Sequence, residues 1–280
     1  MIRFATLYAI GAAIGLSSAA GAITTDGDWS DWFTYSGNVG ANTWNENLVT
    51  LNTVNIRTQV DEEGPTPGGG GQPYDIEQIF YVYEDADPNA LTGGVLHIGL
   101  VTGYPPEGRP LDDLFAGDMF VDFGNTGDYS LAIATSTSNV NQEVPGGVDS
   151  DYFEHNFFND GTANWTTRAP KFFSFSDPWR VERNAAIENF FTTNVAWGAV
   201  GVRYFLEISV DIDAPLEDVL TNPDGGVGLH WTMECGNDVI NVRDDQPLVP
   251  GPQIPVPEPS TFALMGIGIT GMALRRKFEA

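Results

Sequence analysis

The sequence has little cysteine, little positive charge and little histidine. With Cys235 as its one cysteine, the chain forms no internal disulfide, and we expect this side chain to pack as a small apolar residue, with an intermolecular disulfide as the alternative. Lys and Arg number 12 against 38 Asp and Glu, a formal net charge of −26. Such acidity excludes nucleic acid as a partner. The histidines His97, His155 and His230 are dispersed and lack zinc-binding spacing.

Motifs of the common enzyme classes are also missing. The sequence contains no G-x-S-x-G, no phosphate-binding loop and no Cys-His pair in a recognisable context. A glycosidase needs two suitably separated carboxylates, and so acidic a chain always offers such a pair. We therefore predict that the protein is not an enzyme, and keep a glycan-active hydrolase as an alternative.

The amino terminus has the features of a secretory signal. Arg3 supplies a positive charge, residues 4–16 form an apolar core, and Ala20 and Ala22 delimit a small-residue cleavage site. We predict a signal helix over the first 22 residues, translocation through the secretion translocon, and cleavage by signal peptidase after Ala22. The mature chain then starts at Ile23.

The carboxyl terminus combines a Pro-Glu-Pro motif, a short apolar run and a basic cluster. These are Pro257, Glu258 and Pro259, then residues 262–274, then Arg275, Arg276 and Lys277. The uncharged run is shorter than the roughly 17 to 25 residues of a stable span. We predict a single transmembrane helix within residues 260–280 that anchors the chain transiently in the inner membrane, with the basic residues on the cytoplasmic side. A permanent anchor is the alternative.

This order of elements resembles the PEP-CTERM sorting signal of exosortase-processed bacterial proteins. The resemblance implies that the Pro-Glu-Pro motif is the core of the signal, that an exosortase-like enzyme is a partner, and that the tail is removed. The implied location is the inner membrane first and the cell surface or extracellular space afterwards.

Between the two signals, apolar and polar residues alternate with period two. The clearest alternations cover residues 54–60, 204–212 and 227–235. Further strands are expected at residues 76–83, 95–102, 118–123, 129–135, 197–202 and 239–243. Turn-forming residues separate them. We predict an all-β domain over residues 23–246, a single antiparallel β-sandwich of jelly-roll or immunoglobulin-like type.

Helices and linkers are few in the predicted body. Residues 215–220 fit a single helical turn, and residues 184–191 a short surface helix. Residues 63–73 are a glycine-rich loop within the domain, and residues 247–259 are a proline-rich, extended stalk.

Three segments of the body carry a second resemblance: residues 26–32, 117–123 and 229–238. They resemble segments of exported proteins whose bodies are similar to family 9 carbohydrate-binding modules and DOMON-type sandwiches. The resemblance covers residues 25–242 and implies a sandwich that serves sugar-binding, haem-binding or structural roles.

The tryptophans fall into two groups. Three in polar, loop-like contexts are candidates for a sugar-stacking platform, with core or edge packing as the alternative: Trp44, Trp165 and Trp179. Of the others, Trp29 and Trp32 flank a polar Ser-Asp pair and are predicted to be exposed, whereas Trp231 lies in an alternating strand and is predicted to be core.

Two acidic groups have the ligand type that Ca²⁺ prefers. The first comprises Asp149, Asp151 and Glu154, and the second comprises Asp26, Asp28 and Asp31. Neither has the spacing of an EF-hand loop, so solvated surface is the alternative for both.

The sequence thus predicts an exported surface or matrix protein with a structural or adhesive role among exopolysaccharide. A sugar-binding or Ca²⁺-binding module is the main alternative.

Overall fold

The computed structural model describes residues 23–40, 44–60, 74–85, 91–109, 114–136, 156–158, 167–170, 178, 180–181, 187–188 and 190–248. The strands are β1 (Phe33–Tyr35), β2 (Val49–Leu51), β3 (Arg57–Val60), β4 (Ile76–Asp85), β5 (Gly94–Thr102), β6 (Met119–Phe123), β7 (Leu131–Ile133), β8 (Asn156–Phe158), β9 (Thr167–Arg168), β10 (Arg180–Val181), β11 (Ile187–Glu188), β12 (Thr193–Val200), β13 (Arg203–Ile212), β14 (Val227–Thr232) and β15 (Val239–Asp244). Helix α1 spans Ala214–Thr221, and 3₁₀ turns span Trp29–Asp31 and Glu46–Leu48.

The described strands form two larger and two smaller sheets. The five-stranded sheet has the order β12-β13-β5-β4-β3, and the six-stranded sheet has the order β11-β8-β7-β6-β14-β15. The pairs β1-β2 and β10-β9 stand apart. All these pairings are antiparallel. The predicted all-β, antiparallel class is therefore confirmed, while its assignment to one jelly-roll or immunoglobulin-like sandwich stays a prediction.

One buried cluster takes side chains from both larger sheets. Leu206 and Ile208 of β13 belong to it, together with Val121 of β6 and Trp231 of β14. Cys235 lies in the same cluster, and burial raises the pKa of its thiol. The core positions predicted for Trp231 and Cys235 are confirmed. A buried thiol that stays protonated is also a poor partner for an intermolecular disulfide.

A second cluster covers the other face of the five-stranded sheet. Phe205 of β13 and Phe80 of β4 pack there with Trp32 and Phe33 from the amino-terminal segment. Phe33 stacks on Phe80 with ring centroids 4.7 Å apart. The prediction that Trp32 is exposed is wrong, because its indole is fully buried in this cluster. We call this second cluster the outer cluster, and residues 23–36 the amino-terminal segment.

Most predicted strands and one predicted helix are present. The alternation over residues 204–212 corresponds to β13, and residues 76–83 and 95–102 lie within β4 and β5. Helix α1 contains the predicted turn at residues 215–220; Asp213 caps it by accepting a hydrogen bond from the Leu216 N–H at 3.2 Å.

Two local predictions are wrong. Val54 was assigned to a strand, but it lies in a turn and its residue surface is 93% exposed, so β3 starts only at Arg57. A surface helix was predicted over residues 184–191, but Ile187–Glu188 form β11 and pair with β8. Pairing with a distant strand sets the strand bounds in both cases: Arg57–Val60 pair with β4, and Ile187–Glu188 pair with β8. Local propensity does not reveal such pairing.

No helix among the described residues is long and apolar enough to cross a membrane. The predicted signal helix and the predicted carboxyl-terminal transmembrane helix lie outside the described residues, as does the glycine-rich loop.

Candidate functional site at the two ends of the body

A buried carboxylate on β13 fastens the amino-terminal segment to the five-stranded sheet. Glu207 is 1% exposed. It accepts hydrogen bonds from the Trp32 indole N–H at 2.5 Å, the Gly27 N–H at 2.5 Å and the Asp26 N–H at 3.1 Å. Burial raises the pKa of Glu207, although these donors oppose the shift. Three donors on one carboxylate hold the segment at a defined place over the sheet.

A second carboxylate lies where the described chain begins. The backbone N of Ile23 donates to Glu84 Oε1 at 3.4 Å, and Glu84 Oε2 lies 3.6 Å from His97 Nε2. Burial raises the pKa of Glu84, but the interactions with His97 and with the Ile23 N–H together outweigh burial, so the pKa lies below its ordinary value. The side chain of Ile23 is buried in the outer cluster. Ile23 is therefore fixed at both its backbone and its side chain.

The acidic group at residues 26–31 serves local backbone donors. Asp28 accepts from the Ser30 N–H at 2.9 Å and caps the first 3₁₀ turn. Asp26 accepts from the Asp28 N–H at 2.8 Å, and Asp31 from the Thr24 N–H at 3.1 Å. Their carboxylates thus stabilise the turns that bring Trp32 to Glu207.

A third set of contacts fixes the chain where it leaves the body toward the carboxyl terminus. Arg57 of β3 donates to the Asp244 carboxylate at the end of β15 and to the carbonyl oxygens of Gln246 and Pro247 at 3.0 and 2.5 Å. The Tyr81 hydroxyl donates to the same Asp244 carboxylate at 2.9 Å. Burial, with the hydrogen bond and charge of Asp244, raises the pKa of Tyr81 well above its ordinary value. We call these contacts the tail-exit clamp.

The chain remains packed just past the clamp. The Leu248 N–H donates to the Leu220 carbonyl oxygen of α1 at 2.9 Å, and Leu248 is 2% exposed. The first residues of the predicted stalk, Pro247 and Leu248, therefore contact the body.

Of the three candidate sugar-stacking tryptophans, the structure describes Trp44. Its ring lies parallel to Tyr35 at 4.3 Å between centroids. Its indole N–H donates to Gln78 Oε1 at 3.0 Å, and the Arg203 guanidinium carbon lies 5.6 Å from the ring centroid. These contacts fit the packing role that we kept as the alternative for Trp44.

The remaining predicted site residues lie outside the described residues. They are the signal-cleavage residues Ala20 and Ala22, the candidate platform residues Trp165 and Trp179, the candidate Ca²⁺ ligands Asp149, Asp151 and Glu154, and the sorting residues Pro257, Glu258, Pro259, Arg275, Arg276 and Lys277.

The two described histidines lie on different sheets. His230 Nε2 donates to the Pro178 carbonyl oxygen at 2.6 Å, and its Nδ1 lies 2.6 Å from Asn241 Oδ1. His97 lies on the other large sheet, in β5. Within the described ranges, no group of three or more His, Cys, Asp or Glu side chains is placed to hold a metal ion.

Beyond the clamp, residues 255–277 match the family model described as the PEP-CTERM protein-sorting motif. The chain carries a PEP-CTERM sorting motif. The motif implies export and processing by an exosortase-like enzyme, and it begins seven residues after the last described position, Leu248. No curated protein and no solved structure matches the chain. The resemblance of the body to family 9 carbohydrate-binding modules and DOMON-type sandwiches stays a prediction.

No sequence motif marks Glu84, Glu207 or Arg57 as a candidate functional residue. Glu207 occupies a strand position that a period-two pattern assigns to solvent, and Glu84 lies just past the strand predicted over residues 76–83. Arg57 carried a weak signal, because it is one of the few cations in a strongly acidic chain.

Proposed function

We propose that this PEP-CTERM protein serves at the cell surface or in the extracellular matrix, with a structural or adhesive role among exopolysaccharide. The observation that carries the proposal is the tail-exit clamp. The strands β3 and β15 stand at the edges of the two larger sheets, and Arg57 joins them at the point where the chain leaves toward the sorting motif. Tension on the tail would therefore reach both sheets, which suits a protein held by its carboxyl end.

The proposed route has three steps. The translocon exports the chain and signal peptidase removes the first 22 residues. The tail then holds the protein in the inner membrane. Finally the exosortase-like enzyme acts at the motif that contains Pro257, Glu258 and Pro259, and the body is released or attached outside.

Processing is tested with the full chain in its native host. Glu258→Ala changes the motif, and Glu279→Ala changes a carboxylate of the same tail beyond the matched segment. We expect the native protein and Glu279→Ala to lose residues 262–274 and to reach the surface, whereas Glu258→Ala accumulates in the inner membrane. Mass spectrometry of fractionated cells reports this, and a peptide covering residues 262–274 at full occupancy in the surface protein would contradict the proposal.

The structural role needs its own test. Deleting the gene should weaken the cohesion of the polysaccharide matrix, and the native chain and Glu279→Ala should restore it while Glu258→Ala should not. Unchanged cohesion in the deletion strain contradicts a structural or adhesive role and leaves sorting unaffected.

A glycan array with and without Ca²⁺ separates this proposal from a binding module. Saturable binding to one glycan, lost in Trp165→Ala or Trp179→Ala, supports the sugar-binding alternative. A rise in melting temperature with Ca²⁺ beyond that in NaCl of matched ionic strength, lost in the variant Asp149→Asn/Asp151→Asn, supports the Ca²⁺-binding alternative. Turnover of a polysaccharide would overturn the prediction that the protein is not an enzyme.

A further inference from the structure

The predicted first residue of the mature chain is held at a carboxylate. The side chain of Ile23 is 7% exposed within the outer cluster, and its backbone N lies 3.4 Å from Glu84 Oε1. A neutral amide at this distance makes only a weak hydrogen bond. An ammonium group at the same place has a full charge and three donors.

Export processing supplies that group. Signal peptidase adds water across the Ala22–Ile23 amide; the C–N bond breaks, Ala22 leaves as a carboxylate, and the Ile23 amine takes up a proton. We propose that the α-ammonium group released at Ile23 forms an ion pair with Glu84, so that removal of the signal strengthens the attachment of the amino-terminal segment to the five-stranded sheet. This proposal rests on the export step of the proposed function.

The segment is already ordered for this contact. The Thr24 N–H donates to Asp31, and the N–H groups of Asp26 and Gly27 donate to Glu207. Because these bonds fix the residues after Ile23, the ion pair orders little additional chain and loses little conformational entropy.

The surroundings also favour a cation. Glu84 accepts from the Ile23 backbone N–H, and His97 Nε2 lies 3.6 Å from the other oxygen of this carboxylate. The N–H groups of the next residues donate to two further carboxylates, Thr24 to Asp31 and Asp26 to Glu207, and the whole chain has a net charge of −26. A new positive charge at Ile23 offsets this local excess.

The test compares two full-length mature chains, one starting at Ile23 and one starting at Ala22, each released from a fusion protein and studied in detergent. The added residue moves the ammonium group by about 3.5 Å along the chain. At pH 6.5 we expect the Ile23 form to melt about 2 to 4 °C higher, a shift typical of one favourable charge contact in a domain of this size.

Two controls make the difference specific. Glu84→Gln should remove the difference between the two starts, whereas Glu46→Gln, an exposed carboxylate in the second 3₁₀ turn, should preserve it. An ammonium group paired with a carboxylate stabilises the folded state fully below its ordinary pKa of about 8, and this contribution is lost as the pH rises through the folded-state pKa. The difference should therefore also shrink at pH 10.

Equal melting temperatures for the two starts, or a difference that persists in Glu84→Gln, would overturn the proposal. Amino-terminal sequencing of the exported protein is the independent check, and a start other than Ile23 also overturns it while leaving sorting at the carboxyl terminus intact. Retention of the tail, in contrast, contradicts the proposed function and does not affect the Ile23–Glu84 pair.

Discussion

Gly27 and Gly198 touch backbone to backbone. A Cβ atom on Gly198 would lie 1.7 Å from the carbonyl oxygen of Gly27. Gly27 itself has a φ of 85°, and a Cβ placed there would lie 2.7 Å from the Trp197 carbonyl oxygen. The amino-terminal segment thus lies directly on β12, and only glycine permits this approach on both sides.

Gly198→Ala should displace the amino-terminal segment from β12. The obstructing atoms belong to backbone, so they cannot move aside as a flexible side chain would, and we expect a loss of about 1–3 kcal/mol in the free energy of unfolding. Urea denaturation followed by tryptophan fluorescence measures the loss. Gly40→Ala is the control, because a Cβ there would lie 3.4 Å from its nearest neighbour, Asn38 Oδ1. Equal effects of the two substitutions would contradict the close approach.

Glu84 and Glu207 should give opposite pH dependences of stability. The pKa of Glu84 is lowered in the folded state, so its contribution is present above the ordinary value of about 4.3 and is lost as the pH falls through the folded-state pKa. The pKa of Glu207 is raised, so the folded state binds the proton more tightly, and its contribution falls as the pH rises from about 4.3 through the folded-state pKa.

Unfolding free energies of the native chain, Glu84→Gln and Glu207→Gln between pH 3.5 and 7 test this. As the pH rises, the free energy of unfolding of the native chain should increase relative to that of Glu84→Gln. Relative to that of Glu207→Gln, it should decrease. If the two differences in free energy changed with pH in the same direction, the lowered pKa of Glu84 and the raised pKa of Glu207 would be contradicted.

The fold class was predictable because the alternation of apolar and polar residues is visible in the sequence of each strand by itself. The five apolar positions of residues 204–212 indicate one face of β13, and Leu206 and Ile208 indeed lie in the core between the larger sheets. The opposite face was not predictable, since its cover is the amino-terminal segment, about 180 residues away in sequence. Glu207 consequently looked like a solvent-facing residue. The tail signal was readable because a sorting motif is recognised as a linear sequence.

Arg57→Met should loosen the tail-exit clamp while keeping most of the aliphatic stem. The substitution removes charge-assisted hydrogen bonds to Asp244 and to two carbonyl oxygens. We therefore expect the free energy of unfolding to fall by about 1–3 kcal/mol. Hydrogen exchange at the Leu248 N–H should accelerate more than exchange in β13. Arg243→Met, an exposed arginine on β15, is the matched control. Unchanged exchange at Leu248 in Arg57→Met would show that the clamp does not hold the exit.

Glu77→Gln should lower the free energy of unfolding more than removal of the whole ion pair does. The Arg203 guanidinium donates to Glu77, and the two side chains are 0% and 6% exposed. Loss of the carboxylate removes the Glu77 charge that faces the buried guanidinium, and breaking a buried ion pair in this way costs about 3–5 kcal/mol. The variant Glu77→Leu/Arg203→Met should recover much of that loss in urea denaturation. A double variant less stable than Glu77→Gln would contradict this interpretation.

The long separation between the amino-terminal segment and its carboxylate anchor determines the order in which the exported chain assembles. Trp32 precedes Glu207 by 175 residues, so a chain that emerges from its amino end exposes the indole long before its partner arrives. The outer cluster is therefore completed near the end of translocation, and contacts of such long range form slowly. The sorting motif emerges only after β13. Retention by the tail, as proposed above, would give the first residues to leave the membrane time to find the strand that they cover.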